Sequence, residues 1–221
     1  MDRAIFYNDI RNHLFKGKLS QGQVDGMEAI LNFWEYPPVQ PVGEFKTNWD
    51  FRVMGWLAYI LATAFHETAY TMQPISEGGS IAYFREHYCN RKDLGNGLEY
   101  GGEADDGPRF RGRGFVQLTG RNNYARLTLI VREFYPNSPD FVSDPEAVMN
   151  LEYAAIILFY GMFLGIFTGY ALNNFIGDPD QGQIVDFYHA RKIINGLDRA
   201  AIIEGYAKEF NEALEKAGAN V

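Results

Sequence analysis

The chain has 221 residues, 47% hydrophobic and 22% charged, close to globular averages of about 45–50% and 25%, which excludes a mainly disordered or collagen-like polymer. Twenty Lys and Arg against 28 Asp and Glu leave a formal charge of −8, the wrong sign for nucleic acid as the main ligand. The single cysteine, Cys89, excludes an intrachain disulfide framework and a multi-cysteine zinc or iron–sulfur site.

In chain order, charges at Asp2, Arg3, Asp9 and Arg11 interrupt any apolar core of a secretory signal, so no signal peptide is expected. Residues 1–19 are expected to pack on the rest as a helix. Ser20-Gln21-Gly22-Gln23 reads as a capping box ahead of a helix carrying Val24, Met27, Ile30, Leu31 and Trp34. Pro37, Pro38, Pro41 and Gly43 end it. Asn48 or Asp50 can cap the next helix, over 51–72, with Val53, Leu57, Ile60 and Ala64 on one face and a stop near Pro74. Residues 87–112, rich in Gly, Asp, Asn and Arg, read as loop. The alternation in RFRGRGFVQLT predicts an extended segment with Arg109, Arg111, Arg113, Phe115, Gln117 and Thr119 on one face. Its arginines either pair with carboxylates such as Asp105 and Asp106 or orient catalytic acids. A helix is predicted from Asn122 to about Phe134, Asp144-Pro145 opens another, and two more cover 183–195 and 199–217.

Tyr153 to Leu172 runs twenty residues without a charge, with Gly161, Gly165 and Gly169 four apart. Length and small-residue spacing match a membrane helix, but no basic residue flanks the run. A central helix of a soluble core is expected, without stable membrane insertion. With no repeat and no long linker, residues 1–221 are expected to form one domain, mainly α with a small extended element.

His66-Glu67 invites comparison with the zinc motif HExxH, but Tyr70 stands where the second histidine would be. No metal and no cofactor are expected, and His66 is read as a hydrogen-bonding support. Glu67 falls seven residues after Ile60 and three after Ala64, on the apolar stripe. A carboxylate there is desolvated, which favours the protonated form a general acid needs. Pro74 should break the helix and let Glu77, followed by Gly78-Gly79, face Glu67 across a cleft. Two carboxyls about 6.5–9.5 Å apart with water between them would serve an inverting glycosidase.

The blocks HETAYTMQPISE at 66–77, GRGFVQLTGRNNY at 112–124 and ARKIINGLDRA at 190–200 together resemble glycoside hydrolase family 19, in its branch of bacteriophage endolysins and bacterial cell-wall hydrolases. The resemblance runs from about residue 20 to the C-terminus and takes in GMFLGIFTG. It implies a mainly α, two-lobed lysozyme-like fold with a central substrate cleft, one catalytic domain and no separate cell-wall binding module. By the same resemblance Glu67 is the general acid, Glu77 the general base with Glu86 as the fallback, and Thr119 helps hold the attacking water. Gln117, Asn123, Tyr124 and Asn195, with His66 beside them, match substrate-binding positions, although Leu197 replaces a glycine usual after Asn195-Gly196. The implied activity is hydrolysis of the β-1,4 bonds of peptidoglycan by a monomer, made in a host bacterial cytoplasm and released to act on the cell wall. The alternative inside the enzyme class is a chitinase. Outside it stand a membrane-active protein built on 153–172 and a carbohydrate-binding relic.

Overall fold

The computed structural model describes residues 1–37 and 53–219. Asp2 caps the first helix, α1 (Arg3–His13), by accepting from the amides of Ala4 and Ile5, and the helix buries Phe6 and Ile10. The expected helix thus forms within the first nineteen residues. The capping box at Ser20 closes in both directions and opens α2 (Gln21–Glu35). The chain breakers from Pro38 onward and the caps expected at Asn48 or Asp50 lie outside the described residues.

Helix α3 (Met54–Glu67) has eleven consecutive buried residues from Gly55 to Phe65. A helix buried all round belongs at the centre of a fold. It stops at Glu67, well before Pro74. The Thr68 hydroxyl donates back to the Ala64 carbonyl at 2.7 Å, and Ala69, Tyr70 and Met72 take left-handed backbone angles, φ 49°, 70° and 52°. Such angles cost side-chain-bearing residues about 1–3 kcal/mol each and persist only where the surroundings enforce them.

Past Pro74 the chain doubles back. Strand β1 (Ile75–Ser76) pairs antiparallel with β2 (Arg113–Gly114), Ile75 opposite Gly114 and Ser76 opposite Arg113. Between them lie α4 (Ile81–Tyr88), capped by Ser80, and the short α5 (Asp106–Arg109). The long extended face expected over 109–119 does not form, because Gln117 turns the chain with φ 55° and Leu118 bridges back to Arg113. The arginines therefore leave a common face, although Arg111 and Arg113 both approach Glu146, at 3.6 and 2.6 Å. Arg109 reaches Glu103 and the Val142 carbonyl, Arg111 reaches Ser76, and Arg113 reaches Glu146. The carboxylates expected to pair with them take other cations, Asp105 pairing with Arg85 and Asp106 with Arg121.

Helix α6 (Arg121–Phe134) is where the periodicity puts it. Asp144-Pro145 opens only a 3-10 turn, Pro145–Met149, without a side-chain cap. It is Asn150 that caps α7 (Leu151–Phe163). The apolar run is thus half helix and half turn, since Gly165 and Gly169 adopt φ 63° and 88°. Among the described residues no helix is long and apolar enough to cross a membrane. The helix expected over 183–195 shrinks to a 3-10 turn, His189–Ile193, because Val185 is tied to Ile176 in an extended bridge. The last helix is α8 (Ala200–Lys216).

Helix α3 packs along α8, α8 on α1, α2 on α7 and α7 on α6. One apolar cluster runs through all of them. Helices α4 and α5 pack on each other around Phe84, which is buried outside that cluster. The fold is mainly α with a small extended element, as the sequence implied, and the β1–β2 pair joins the helical body to this smaller unit.

Candidate active site

Glu67 is the last residue of α3, at the rim of the buried body. Its Oε1 accepts from Nη1 of Arg191 at 2.6 Å, and the guanidinium is almost wholly buried. Arg191 is itself fixed, its Nε donating to the Asp198 carbonyl at 2.9 Å. Among the described residues, Oε2 of Glu67 accepts no hydrogen bond. One carboxyl oxygen is therefore anchored by the guanidinium.

Glu77 follows β1, where its amide donates to the Gly112 carbonyl at 2.8 Å. Its carboxylate accepts from the Tyr88 hydroxyl at 2.9 Å on Oε1 and from the Gly112 amide at 3.1 Å on Oε2. Burial, then Glu77, push the Tyr88 phenol well above its ordinary value, so Tyr88 stays a donor. Behind it Asn96 donates to the Tyr88 carbonyl and accepts from the Arg121 amide at the start of α6. Arg121 also holds the fully buried Asp106 carboxylate, which accepts from the amides of Gly97 and Glu103. Burial opposes ionisation there, but the guanidinium and the two amides outweigh it and keep Asp106 below the usual carboxylate range. Glu86, the alternative to Glu77, is exposed on α4, and no hydrogen bond among the described residues holds its carboxyl.

Thr119 is half-buried and its hydroxyl donates to the Gln117 carbonyl at 2.8 Å, which commits its proton and leaves its lone pairs to accept. Gln117 donates to the Ile75 carbonyl on β1. Asn123 donates to the Thr119 carbonyl at 2.9 Å. These three side chains stitch the turn after β2 to α6 and β1. Tyr124 is fully buried, so its ring offers no face to a sugar. Its hydroxyl donates to the Arg111 carbonyl and accepts from Arg113, and burial pushes it up to about 12. It is a strut for the hairpin, in place of the substrate contact expected of it. Asn195 lies exposed in the turn beyond Arg191, its amide donating to the Arg191 carbonyl.

His66 does not make the hydrogen bond expected at one of its nitrogens, since Nδ1 is buried without a partner among the described residues. Burial lowers its proton affinity, which Glu67 partly restores and Arg191 and Arg199 lower further. Arg191 is the residue that the sequence reading passed over. Its signal was an arginine between buried Ala190 and Ile193, because a guanidinium in an apolar setting calls for a carboxylate. No group of three or more His, Cys, Asp and Glu among the described residues is arranged to hold a metal.

Neither a protein-family model nor a curated protein matches the chain. Among solved structures, a mutant of chitinase C superposes with a TM-score of 0.48 and 17% identity, over 100% of this chain and 93% of that one. Such a likeness assigns neither family nor activity.

Proposed function

We propose that the protein is an inverting glycosidase that cleaves the β-1,4 bonds of peptidoglycan, an endolysin-type hydrolase causing bacterial lysis. The observation that supports this reading is a pair of contacts: the second and third blocks each touch the first at one of its two glutamates. Gly112, from the second block, binds both the backbone and the carboxylate of Glu77, and Arg191, from the third, binds Glu67.

In the proposed reaction Glu67 gives its proton to the glycosidic oxygen, and the Arg191 guanidinium stabilises the carboxylate as it forms. Glu77, held as an acceptor by Tyr88 and Gly112, takes a proton from a water attacking the opposite face of the sugar. Thr119 accepts a hydrogen bond from that water, its own proton being committed to Gln117. Gln117 and Asn123 shape the turn that carries Thr119, and Asn195 is open to a sugar. Chitin, which offers the same linkage without the acidic peptide, is the alternative substrate.

The test is mass spectrometry, with reducing-end analysis, of products released from peptidoglycan and from chitin by wild type and Glu67→Gln. Muropeptides ending in N-acetylmuramic acid from wild type alone are expected. Chitin oligomers without muropeptides would move the protein to the chitinase reading, and no sugar product from either polymer would sink the glycosidase.

A further inference from the structure

A cavity of about 470 Å³ lies between the end of α1, the start of α2, the turn after α3 and α8, lined by Lys16, Gln23, Phe65, Tyr70 and Tyr206 among others. Neither Glu67 nor Glu77 lines it. Its volume and largely aromatic wall are those of a small-ligand site. Phe65 lies edge-on to Tyr206 at 4.9 Å and against Tyr70 at 4.8 Å. Tyr70 is 47% exposed, so ring surface is open to solvent. The two tyrosine hydroxyls share one hydrogen bond at 3.2 Å, and sharing commits only one of their two protons. The other can donate to a ligand.

Both sides of the rim are held in strained backbone, Lys16 at φ 52° and Tyr70 at φ 70°. Gln23 pins the second by donating to the Tyr70 carbonyl at 2.9 Å. Side chains kept in such conformations cluster at ligand clamps. The one Lys or Arg in the lining, Lys16, belongs to a basic stretch of the chain. The stretch RNHLFKGK, residues 11–18, holds Arg11, Lys16 and Lys18 and no acid in a protein of net charge −8. None of the three has an ion-pair partner among the described residues, whereas His13, also on the rim, pairs with Asp9.

From aromatic faces, a free phenol proton and the unpaired cation of Lys16, we infer that this pocket binds the sugar–peptide junction of a glycan strand, an N-acylated muramyl ring with its acidic peptide. The ring stacks on the tyrosines and the peptide carboxylate meets Lys16. The assignment rests on the peptidoglycan reading above. Tyr70 follows Glu67 by three residues, so their Cα atoms lie at most about 10 Å apart, and a strand cut at Glu67 is within reach of the pocket. Binding energy gained there, away from the scissile bond, can orient the strand for cleavage.

The test is calorimetric and NMR titration of the full chain, as wild type, Lys16→Glu and Tyr206→Phe, with muramyl dipeptide, with N,N′-diacetylchitobiose and with the dipeptide alone. Muramyl dipeptide should perturb Lys16, Tyr70 and Tyr206, bind about tenfold more tightly than either control, and weaken about tenfold in Lys16→Glu or in raised salt. Equal binding of chitobiose, unchanged affinity in Lys16→Glu, or perturbations confined to other residues would overturn the assignment. Wall digestion separates the two readings. Muropeptide release without Lys16-dependent binding leaves the hydrolase and removes the pocket, whereas Lys16-dependent binding without any sugar product leaves the pocket and removes the hydrolase.

Discussion

Arg191 holds two partners at once, Oε1 of Glu67 through Nη1 and the Asp198 carbonyl through Nε. A lysine has one point of charge and cannot span both. In the proposed reaction Arg191→Lys should therefore let the Glu67 carboxyl rotate, lowering kcat about 100-fold with little change in KM. Steady-state kinetics would show it, and an equal rise in KM would mean that Arg191 serves binding instead. His66 gives a second expectation. Burial keeps its proton affinity below the ordinary value of 6.5, against the pull of Glu67. As pH falls below about 6.5 the unfolded chain takes up this proton before the folded one does, so stability is full above that pH and declines beneath it. Thermal melts from pH 8 to 5 should show the decline in wild type and a flatter profile in His66→Asn; parallel curves would contradict it. Helical spacing put Glu67 on the apolar stripe with Ala64 and Ile60, but it did not foresee that a guanidinium would meet the carboxylate there. Arg191 was not legible in the sequence, because its partner is set by a contact 124 residues away.

Elements were read best where local chemistry decides. The Ser20–Gln23 box and the helix from Arg121 formed as local rules require. Spacing failed where glycine or an unexpected left-handed residue interrupts, as at Gln117 within the supposed strand and Gly165 within the supposed long helix. Those turns depend on neighbours that no local pattern encodes. Close approach of two elements yields a third expectation. A Cβ built on Gly26 of α2 would run into the Met72 carbonyl oxygen at the end of the strained turn, and backbone cannot step aside as a side chain can. Gly26→Ala should cost about 1–3 kcal/mol or more and displace the turn that follows Glu67. Denaturant unfolding measures the first, and loss of activity in excess of the unfolded fraction reports the second.

Across the whole molecule the first helix is part of the body. Phe6 is fully buried and stacks on Phe210 of α8 at 6.4 Å. Arg3 pairs with Glu28 and Glu35 of α2, and the Asp2 amide donates to the Ala217 carbonyl. Phe6→Ala should cost about 3–5 kcal/mol of global stability, visible as a single cooperative transition at lower temperature. A separate early transition would show instead that α1 melts alone. That α4 and α5 stand apart from the main helical body was legible only through the resemblance, because the apolar pattern cannot tell that a buried residue such as Phe84 lies outside the main cluster.

The pair of Glu67 and Arg191 also sets a timetable. During synthesis at about 5–20 residues per second, roughly 6–25 s separate the two residues at the ribosome. Throughout that interval α3 waits without the guanidinium and without α8, its main packing partner. A chain stopped short of residue 191 would lack both, so such a nascent or truncated product would be inert, and the activity proposed here would begin only once synthesis had passed α8.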